Sequence, residues 1–330
     1  MTPKDFWHKS TVVVIGGGSW GTVLANLASQ NCERVRLYVR EESQARSINS
    51  TRANPKHPEM RLSSKVLALT DLDRVFEGKV DAVIWALPAA ICREQAREYS
   101  SRFTGQEVLI HVTKGVEAGS LKRISEVLRE EIPCPRLGVL SGPNIAQEIS
   151  EGQPAATVIA SAFDEVLIAG EAIFSSPVFH VYRSRDMVGV EWAGALKNIL
   201  AIAAGALDAC GMGSNARAFL ITQGLDELIR FTTALGGKTE TMVSLAGIGD
   251  ILATCTSPLS RNFRVGHQLA EGHTLQEILD DLGHVAEGVW TTQSIHEFAR
   301  ENKILMPIVA GVYDILQRKN TREDILRSLL

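Results

Sequence analysis

Three glycines near the start of the chain have the spacing Gly16-x-Gly18-x-x-Gly21. An apolar run, Val12–Ile15, precedes them and predicts a buried strand, and the residues after them predict a helix that begins near Thr22. Here Gly16 would allow a tight turn, Gly18 would let the backbone approach a pyrophosphate, and Gly21 would let the helix pack closely on the strand. The helix N-terminus would offer free N–H groups to the phosphates. The segment predicts a dinucleotide site, although by itself it leaves open a glycine-rich turn that binds nothing.

The residue that follows the second predicted strand, Val35–Val39, is a cation, Arg40. Sites selective for NAD usually carry an acidic residue about 20 residues after the glycines, where it binds the ribose 2′-hydroxyl. A guanidinium can instead pair with a 2′-phosphate or stack on the adenine, so Arg40 predicts that NADP is accepted and preferred. Two alternatives stay open: Arg40 is a solvated surface residue, or Glu41 or Glu42 approaches the ribose.

A lysine stands out in the later, helical part of the chain. Lys197 lies in the segment Gly189–Cys210, which is rich in alanine and glycine and is predicted to be a central, buried helix. Burial of an unpaired ammonium is costly, so this residue needs an explanation. One interpretation is a general acid/base with a pKa lowered by burial and by neighbouring cations. The other is a structural lysine that reaches solvent or pairs with Glu191 or Asp208.

Two polar segments follow predicted strands of the first half. Lys114 comes just after the strand Val108–Val112, and the segment 141–146, Ser-Gly-Pro-Asn-Ile-Ala, closes the next strand. Because ligands of parallel sheets bind at the carboxyl ends of the strands, both segments are expected near a bound ligand. The alternative for the second segment is a simple turn.

Two more segments carry charged or polar side chains that suit a phosphorylated substrate. Asp250 follows Gly247 and Gly249, and it could bind a ligand or cap a helix. Ser260, Arg261 and Asn262 stand together before a predicted helix, where an anion would meet both their side chains and the helix N-terminus. The alternative for this second group is a polar loop.

The elements that must position these residues change character along the chain. Valine- and isoleucine-rich runs alternate with helical patterns in the first half, which predicts an α/β domain with a doubly wound, mainly parallel sheet over residues 1–187. Residues 188–330 predict an all-α domain. The predicted strands are Thr11–Ile15, Val35–Val39, Val66–Leu69, Ala82–Ala86, Val108–Val112, Leu137–Leu140, Ala156–Ile159 and Phe179–Tyr182. The predicted helices of the second domain are Gly189–Cys210, Ala216–Leu235, Met242–Cys255, Phe263–Glu271, Thr274–Leu282, Thr291–Asn302 and Pro307–Gln317.

Composition limits the functional class. The 330 residues carry a formal net charge of −4, which argues against a nucleic-acid partner. The five cysteines are scattered and form no Cys-x-x-Cys pair, and the eight histidines form no ligand cluster, so no disulfide framework and no metal site are predicted. The N-terminal residues lack an apolar signal core, and the apolar run Ile199–Leu207 is too short to span a bilayer. We therefore expect a cytoplasmic protein with no integral membrane segment.

Six of these segments occur in an order that resembles the NAD(P)-dependent glycerol-3-phosphate dehydrogenases of the soluble bacterial type. The resemblance covers nearly the whole chain and implies a Rossmann-like N-terminal domain followed by a helical C-terminal domain. The segments that carry it are Gly16–Gly21, Thr113–Gly115, Ser141–Pro143, Gly194–Asn198, Gly249–Asp250 and Ser260–Asn262.

The resemblance implies roles for individual residues. Lys197 matches the family's catalytic lysine, which gives a proton to the ketone and takes it from the alcohol, and Lys114 matches a lysine that touches substrate and cofactor. Asp250 matches a carboxylate beside Lys197 that binds substrate. The other implied substrate contacts are Gly142, Asn144, Ser260, Arg261 and Asn262. The implied cofactor contacts are Gly16, Gly18, Ser19, Trp20, Gly21, Arg40, Lys114, Ala146, Arg261, Val285 and Glu287. Asn144-Ile145 departs from the Ser or Thr followed by Phe that is frequent in the family.

The implied reaction interconverts dihydroxyacetone phosphate and sn-glycerol 3-phosphate with NADP(H) or NAD(H), and it would supply glycerol 3-phosphate for phospholipid synthesis. The partner is thus a small phosphorylated triose, and a homodimer is compatible with the sequence. Two alternatives are another dehydrogenase of this architecture, similar to the 3-hydroxyacyl-CoA or 6-phosphogluconate enzymes, and an NADP-binding sensor without catalysis. The Ser-Arg-Asn segment argues against the first, and the lysines argue against the second.

Overall fold

The computed structural model describes residues 3–282, 286–317 and 321–330. The chain forms two compact units, which we call the sheet unit and the helical unit. The sheet unit comprises Met1–Leu87, Ile91–Thr113 and Ile124–Met187, and the helical unit comprises Pro88–Ala90, Lys114–Arg123 and Val188–Leu330. The helical unit thus also includes two short segments of the first half of the chain, which pack with the later helices.

The sheet unit contains a mainly parallel sheet, as predicted. Among the described residues its strand order is β5-β2-β1-β6-β7-β8-β9-β10, and all neighbours are parallel except β8 and β9. The strands are β1 (Thr11–Ile15), β2 (Arg34–Tyr38), β3 (Ala53–Asn54), β4 (His57–Arg61), β5 (Val66–Leu69), β6 (Ala82–Trp85), β7 (Val108–His111), β8 (Leu137–Ser141), β9 (Ala155–Ala160) and β10 (Phe179–Ser184). Strands β3 and β4 form a separate hairpin that the sequence did not predict, since it lacks an apolar run.

Both faces of the central strands β1, β6, β7 and β8 are buried, which explains why these strands read as continuous apolar runs. All residues of β1 are buried, and its alternate residues Val12 and Val14 pack in one cluster with Val23 and Leu24 of the first long helix. The helices of this unit are α1 (Pro3–Trp7), α2 (Ser19–Asn31), α3 (Glu42–Thr51), α4 (Leu72–Val75), α5 (Cys92–Tyr99), α6 (Ile124–Glu131), α7 (Ala146–Ser150) and α8 (Asp164–Phe174). The strand order reverses at β1, which is the position where open sheets of this kind bind their ligands.

The helical unit is built around one buried helix, α9. The helices are α9 (Met187–Ala209), α10 (Ser214–Ala234), α11 (Thr239–Met242), α12 (Asp250–Cys255), α13 (Arg261–Ala270), α14 (Leu275–Leu282), α15 (Glu287–Glu301), α16 (Pro307–Gln317) and α17 (Arg322–Leu329). Every residue of α9 from Gly189 to Leu207 is buried. By length and composition alone this helix could cross a membrane, but 89% of its apolar window is buried inside the protein, as in a core helix.

The prediction of one helix over Met242–Cys255 was wrong. Helix α11 ends at Met242, a π-helical turn spans Leu245–Gly249, and a new helix begins at Asp250. A Cβ built at Gly247 would lie 2.0 Å from the carbonyl oxygen of Met242, so only glycine fits where the π-helical turn passes the end of α11. The apolar spacing continues through this break, which is why the sequence pattern alone did not reveal it. Turns of this type are frequent at functional sites.

Candidate functional site

The glycine turn of the sheet unit joins β1 to α2 as predicted, although α2 begins at Ser19 rather than near Thr22. Gly16 has a φ of 117°, and a Cβ built there would lie 2.6 Å from the carbonyl oxygen of Ala86, beyond the neighbouring strand β6. A Cβ at Gly21 would lie 2.0 Å from the carbonyl oxygen of Gly16. Only glycine fits at these two positions, because the turn, the helix and the next strand meet there.

Gly18, unlike Gly16 and Gly21, is not crowded by other atoms, and the space beside it suits a dinucleotide. A Cβ built at Gly18 meets no described atom within 4 Å, so the position faces open space. Gly18 is the N-cap of α2, and no described side chain caps this helix end. The first N–H groups of α2 are therefore left to a ligand, and a pyrophosphate suits them by charge and by size.

Two buried amides that the sequence analysis missed support the turn. Gln44 and Asn54 both donate to the carbonyl oxygen of Gly17, at 2.6 and 3.0 Å, and Gln44 also donates to the Asn54 side chain at 2.9 Å. Asn54 further donates to the hydroxyl of Thr22 on α2. No usable sign of them is visible in the sequence, because burial of these two polar residues becomes apparent only once the hairpin β3–β4 is known.

Arg40, Ser19 and Trp20 lie around this turn. Arg40 is exposed and follows the carboxyl end of β2, while Trp20 is half-buried against the core of the sheet unit. The Ser19 hydroxyl donates to the carbonyl oxygen of Lys56 at 3.0 Å. The two carboxylates that could compete with Arg40 have partners in the described chain. The first, Glu41, lies 3.4 Å from Lys56, and the second, Glu42, accepts a hydrogen bond from Thr70.

The predicted segment 141–146 begins at the last residue of β8, but the side chain of Asn144 is bonded within the sheet unit. Asn144 donates to the carbonyl oxygen of Ala156 at 3.1 Å and accepts from the hydroxyl of Thr157 at 2.9 Å, both on β9. A Cβ built at Gly142 would lie 3.0 Å from the Cα of Thr157. Ala146 begins α7. The amide of Asn144 therefore holds the loop against β9, and what this loop offers a ligand is mainly its backbone.

The helical unit brings the two lysines and the aspartate together. Lys197 on α9 donates to Asp250 Oδ1 at 2.5 Å, and Lys114 donates to Asp250 Oδ2 at 2.7 Å. The Asp250 side chain is 1% exposed, whereas those of Lys197 and Lys114 are 9% and 18% exposed. Because Asp250 begins α12 directly after the π-helical turn, its carboxylate binds these ammonium groups instead of capping a helix. Lys114, Lys197, Asp250 and the adjoining Thr254 are called the lysine cluster below.

Thr254 was missed in the sequence, and it completes the cluster. Its hydroxyl accepts from Lys197 Nζ at 2.6 Å and donates to the carbonyl oxygen of Asp250 at 2.7 Å. Asp250 and Thr254 are four residues apart on α12 and therefore lie on one face of that helix. This spacing was the available signal, but the sequence analysis placed the whole segment in an unbroken helix.

The two carboxylates considered as structural partners of Lys197 pair with other residues. Glu191 pairs with Arg123 at 2.7 Å, and Asp208 lies 3.4 Å from Arg217 and 3.5 Å from His267. Neither carboxylate is the partner of Lys197, which bonds to Asp250 from a position 53 residues away in the chain.

Burial and nearby charges shift the pKa of Lys114 in the lysine cluster and of Cys255 beside it. Desolvation, followed by the nearby Lys197, lowers the pKa of Lys114 to about 8, although the Asp250 carboxylate opposes the shift. Burial raises the pKa of the neighbouring Cys255 thiol to about 12, so this cysteine stays protonated and is not a nucleophile at neutral pH.

Contacts of Asn198 and Asn262 connect the lysine cluster to the Ser-Arg-Asn segment. Asn198 donates to the carbonyl oxygen of Lys114 at 3.4 Å, and Asn262 Oδ1 accepts from the backbone N–H of Gly288 at 3.1 Å. A Cβ built at Gly288 would lie 2.7 Å from Asn262 Oδ1 and 2.9 Å from the carbonyl oxygen of Asn198. The start of α15 therefore joins two segments that are far apart in sequence.

Glu287, at the same end of α15, lies beside both short segments of the first half that belong to the helical unit, Pro88–Ala90 and Lys114–Arg123. Its Oε1 accepts from the backbone N–H of Ala89 at 3.0 Å, and a Cβ built at Gly115 would lie 2.8 Å from its Oε2. Burial raises the pKa of Glu287, and the Arg261 guanidinium partly opposes this. Val285, the other predicted contact here, lies outside the described residues.

Ser260, Arg261 and Asn262 form the N-terminus of α13. Ser260 is the N-cap, and its hydroxyl oxygen accepts from the backbone N–H of Phe263 at 3.3 Å. Arg261 is exposed and Asn262 is buried. The arrangement presents a guanidinium at the positive end of a helix of ten residues, which is a favourable place for a phosphate.

Comparison with known proteins agrees with this geometry. The model of the C-terminal domain of NAD-dependent glycerol-3-phosphate dehydrogenase matches residues 186–327, and the model of the N-terminal domain matches residues 11–167. A glycerol-3-phosphate dehydrogenase [NAD(P)+] of Leuconostoc mesenteroides is 41% identical over 97% of this chain and 97% of its own. One from Pseudomonas aeruginosa is 41% identical over 98% of this chain and 95% of its own. The crystal structure of glycerol-3-phosphate dehydrogenase from Coxiella burnetii has a TM-score of 0.91 at 33% identity, over 98% of this chain and 99% of that one.

A sheet that reverses its strand order beside an open glycine turn, followed by a helical unit, defines the class of two-domain NAD(P)-dependent dehydrogenases. Within that class the chain belongs to the NAD-dependent glycerol-3-phosphate dehydrogenase family, because both family models match and together span most of its length.

Proposed function

We propose that this chain interconverts dihydroxyacetone phosphate and sn-glycerol 3-phosphate, with NADPH or NADH as the cofactor. The observation that carries the proposal is the bonding of Lys197 and Lys114 to one buried carboxylate, Asp250, in the unit that also holds the Ser-Arg-Asn segment. The curated relatives carry the same activity in their names. NADPH or NADH, when bound, supplies the hydride that reduces the ketone carbon.

Lys197 is the residue suited to move the proton of this reaction. An ammonium has three N–H donors, and Asp250 and Thr254 take two of those of Lys197. The third can donate to the ketone oxygen and then transfer its proton as negative charge develops there. Lys114 adds positive potential, and Asp250 orients both ammonium groups. In the reverse direction neutral Lys197 takes the proton of the alcohol.

The phosphate of the substrate is assigned to Ser260, Arg261 and Asn262. Because Asn262 Oδ1 is occupied by the N–H of Gly288, its Nδ2 is the atom that would donate to a phosphate oxygen. Arg261 and the first N–H groups of α13 supply the charge. Binding energy at this remote group orients the reacting carbon. The backbone of the loop at Gly142 and Asn144 is assigned to the substrate as well.

The cofactor is assigned to the glycine turn with Ser19, Trp20 and Arg40, and to Lys114, Ala146, Arg261, Val285 and Glu287. We further propose a cytoplasmic enzyme, in the form of a homodimer, that supplies glycerol 3-phosphate for phospholipid synthesis. These last assignments rest on the family resemblance, and conditional depletion of the protein in its host, with measurement of phospholipid synthesis, tests the metabolic role.

The activity itself is tested with the purified chain by following loss of NADPH absorbance. We expect turnover with dihydroxyacetone phosphate and a kcat/KM at least about 100-fold lower with dihydroxyacetone, because charged hydrogen bonds to the phosphate are lost. NADH, used in parallel, measures the cofactor preference. Absence of turnover with either cofactor, despite nucleotide binding, would favour the sensor without catalysis.

A second prediction concerns pH. Since the pKa of Lys114 is lowered to about 8, its charge is present below that pH and is lost as the pH rises through it. We expect kcat/KM for ketone reduction to fall above about pH 8. Lys114→Arg keeps the charge throughout this range, so its profile should lack that fall even if its activity is lower. An unchanged fall in Lys114→Arg would assign the titration to another group.

A further inference from the structure

Lys56 is a cation that the family resemblance does not assign, and its backbone is tied to the glycine turn. It lies between β3 and β4, where its carbonyl oxygen accepts from the Ser19 hydroxyl at 3.0 Å and its N–H donates to Asn54 Oδ1 at 3.0 Å. Asn54 is fully buried and also donates to the carbonyl oxygen of Gly17. Two hydrogen bonds therefore hold Lys56 beside the first residues of α2.

The side chain of Lys56 reaches the end of β2. Its Nζ lies 3.4 Å from Glu41 Oε1, and the two side chains are 37% and 50% exposed. Glu41 directly follows Arg40 in the chain, so the Lys56–Glu41 pair lies just after β2, at the strand end that in sheets of this kind reads the 2′ position of the adenosine ribose. An exposed ion pair of this kind is weak and exchanges readily with a stronger anion.

We propose that Lys56 is a second cation that binds the 2′-phosphate of NADP(H), and that Glu41 is its counter-ion when no 2′-phosphate is bound. A phosphate carries more charge than a carboxylate and three acceptor oxygens, so it would take Lys56 from Glu41. With NAD(H) the ion pair stays intact, or Glu41 accepts from the 2′-hydroxyl, as an acidic residue does in NAD-selective sites. The pair would thus let one site accept both cofactors while Glu41 moderates the preference for NADP(H). This inference deepens the cofactor assignment made above and rests on it.

The test measures binding rather than turnover. Isothermal titration of the full chain with adenosine 2′,5′-bisphosphate and with adenosine 5′-monophosphate separates the 2′-phosphate from the rest of the nucleotide. We expect Lys56→Met to weaken the bisphosphate about tenfold, the loss of one charge-assisted hydrogen bond, and to leave the monophosphate nearly unchanged. Glu41→Gln should tighten the bisphosphate several-fold, and this gain should shrink when Lys56→Met is also present, because the two residues act as a pair.

Lys79→Met is the matched control. Lys79 also forms a lysine–carboxylate pair in the sheet unit, with Asp81, but it precedes β6 and so lies at the amino end of that strand rather than at the carboxyl end of β2. Its replacement should leave both affinities unchanged. If Lys56→Met behaves like Lys79→Met while both nucleotides still bind the unaltered chain, the inference on Lys56 is overturned and the cofactor assignment stands. If neither nucleotide binds the unaltered chain, the cofactor assignment fails and this inference fails with it.

Discussion

Replacement of Lys197 by methionine is expected to lower kcat for reduction of dihydroxyacetone phosphate by about 10²- to 10⁴-fold, the range for loss of a general acid. Methionine keeps the length and apolar stem of lysine but cannot donate a proton. The cofactor affinity should change little, because the glycine turn that is assigned to the cofactor lies in the sheet unit. The measurements are kcat from NADPH absorbance and the Kd of NADPH from titration calorimetry.

Two comparison variants make this result interpretable. Lys197→Arg keeps a positive charge but holds its proton too tightly to transfer it, so it should also lose most of kcat. Lys303→Met removes an exposed lysine that follows the far end of α15, and it should leave kcat unchanged. Near-normal turnover in Lys197→Met would reject the assignment of Lys197 as proton donor, and an equal loss in Lys303→Met would point to a general effect of the substitution.

Replacement of Asp250 by asparagine should affect stability and activity together. The change removes the only negative charge among the described members of the lysine cluster and leaves two ammonium groups facing each other with little access to water. Breaking a buried ion pair in this way costs about 3–5 kcal/mol, so the melting temperature should fall by several degrees. The same loss lowers the pKa of Lys114 further, since the Asp250 carboxylate is what opposes that shift.

The pH profile distinguishes these two effects of Asp250→Asn. The fall in kcat/KM expected near pH 8 should move to lower pH, and kcat at neutral pH should fall with it. Asp280→Asn is the matched control, because Asp280 is exposed on α14 and accepts only a side-chain hydrogen bond from Gln276 among those described. A variant at position 250 that keeps its melting temperature and its pH profile would contradict the geometry of the cluster.

Much of the sheet unit could be predicted because its signals are local. The Gly16-Gly18-Gly21 spacing predicted the turn, and each apolar run between turn residues predicted a strand of the parallel sheet, with ends that differ by one or two residues at most. In the central strands the side chains of these runs are buried on both faces, and burial on both faces is what makes a run continuously apolar. The hairpin β3–β4 escaped prediction because only its position against the glycine turn buries it.

For the candidate site, too, some features could be predicted from the sequence and others could not. Sequence alone singled out Lys197, Lys114, Asp250 and the Ser-Arg-Asn segment, because their residue types in those contexts demand an explanation. The residues by themselves offered Glu191 and Asp208 as partners of Lys197, because a helical pattern reports spacing along one element and not contacts between elements. Only the family resemblance placed Asp250 beside Lys197.

Packing in the tertiary structure makes Asp250 the partner of Lys197. The break after Met242 turns the chain so that Asp250 starts a new helix facing α9, and Thr254 follows on the same face. The close approach at Gly288 joins Asn262 to Asn198 in the same way. Residue types and local periodicity were thus readable from the chain itself. The pairing of charges was not, because the partners are brought together by buried contacts between segments that are distant in sequence.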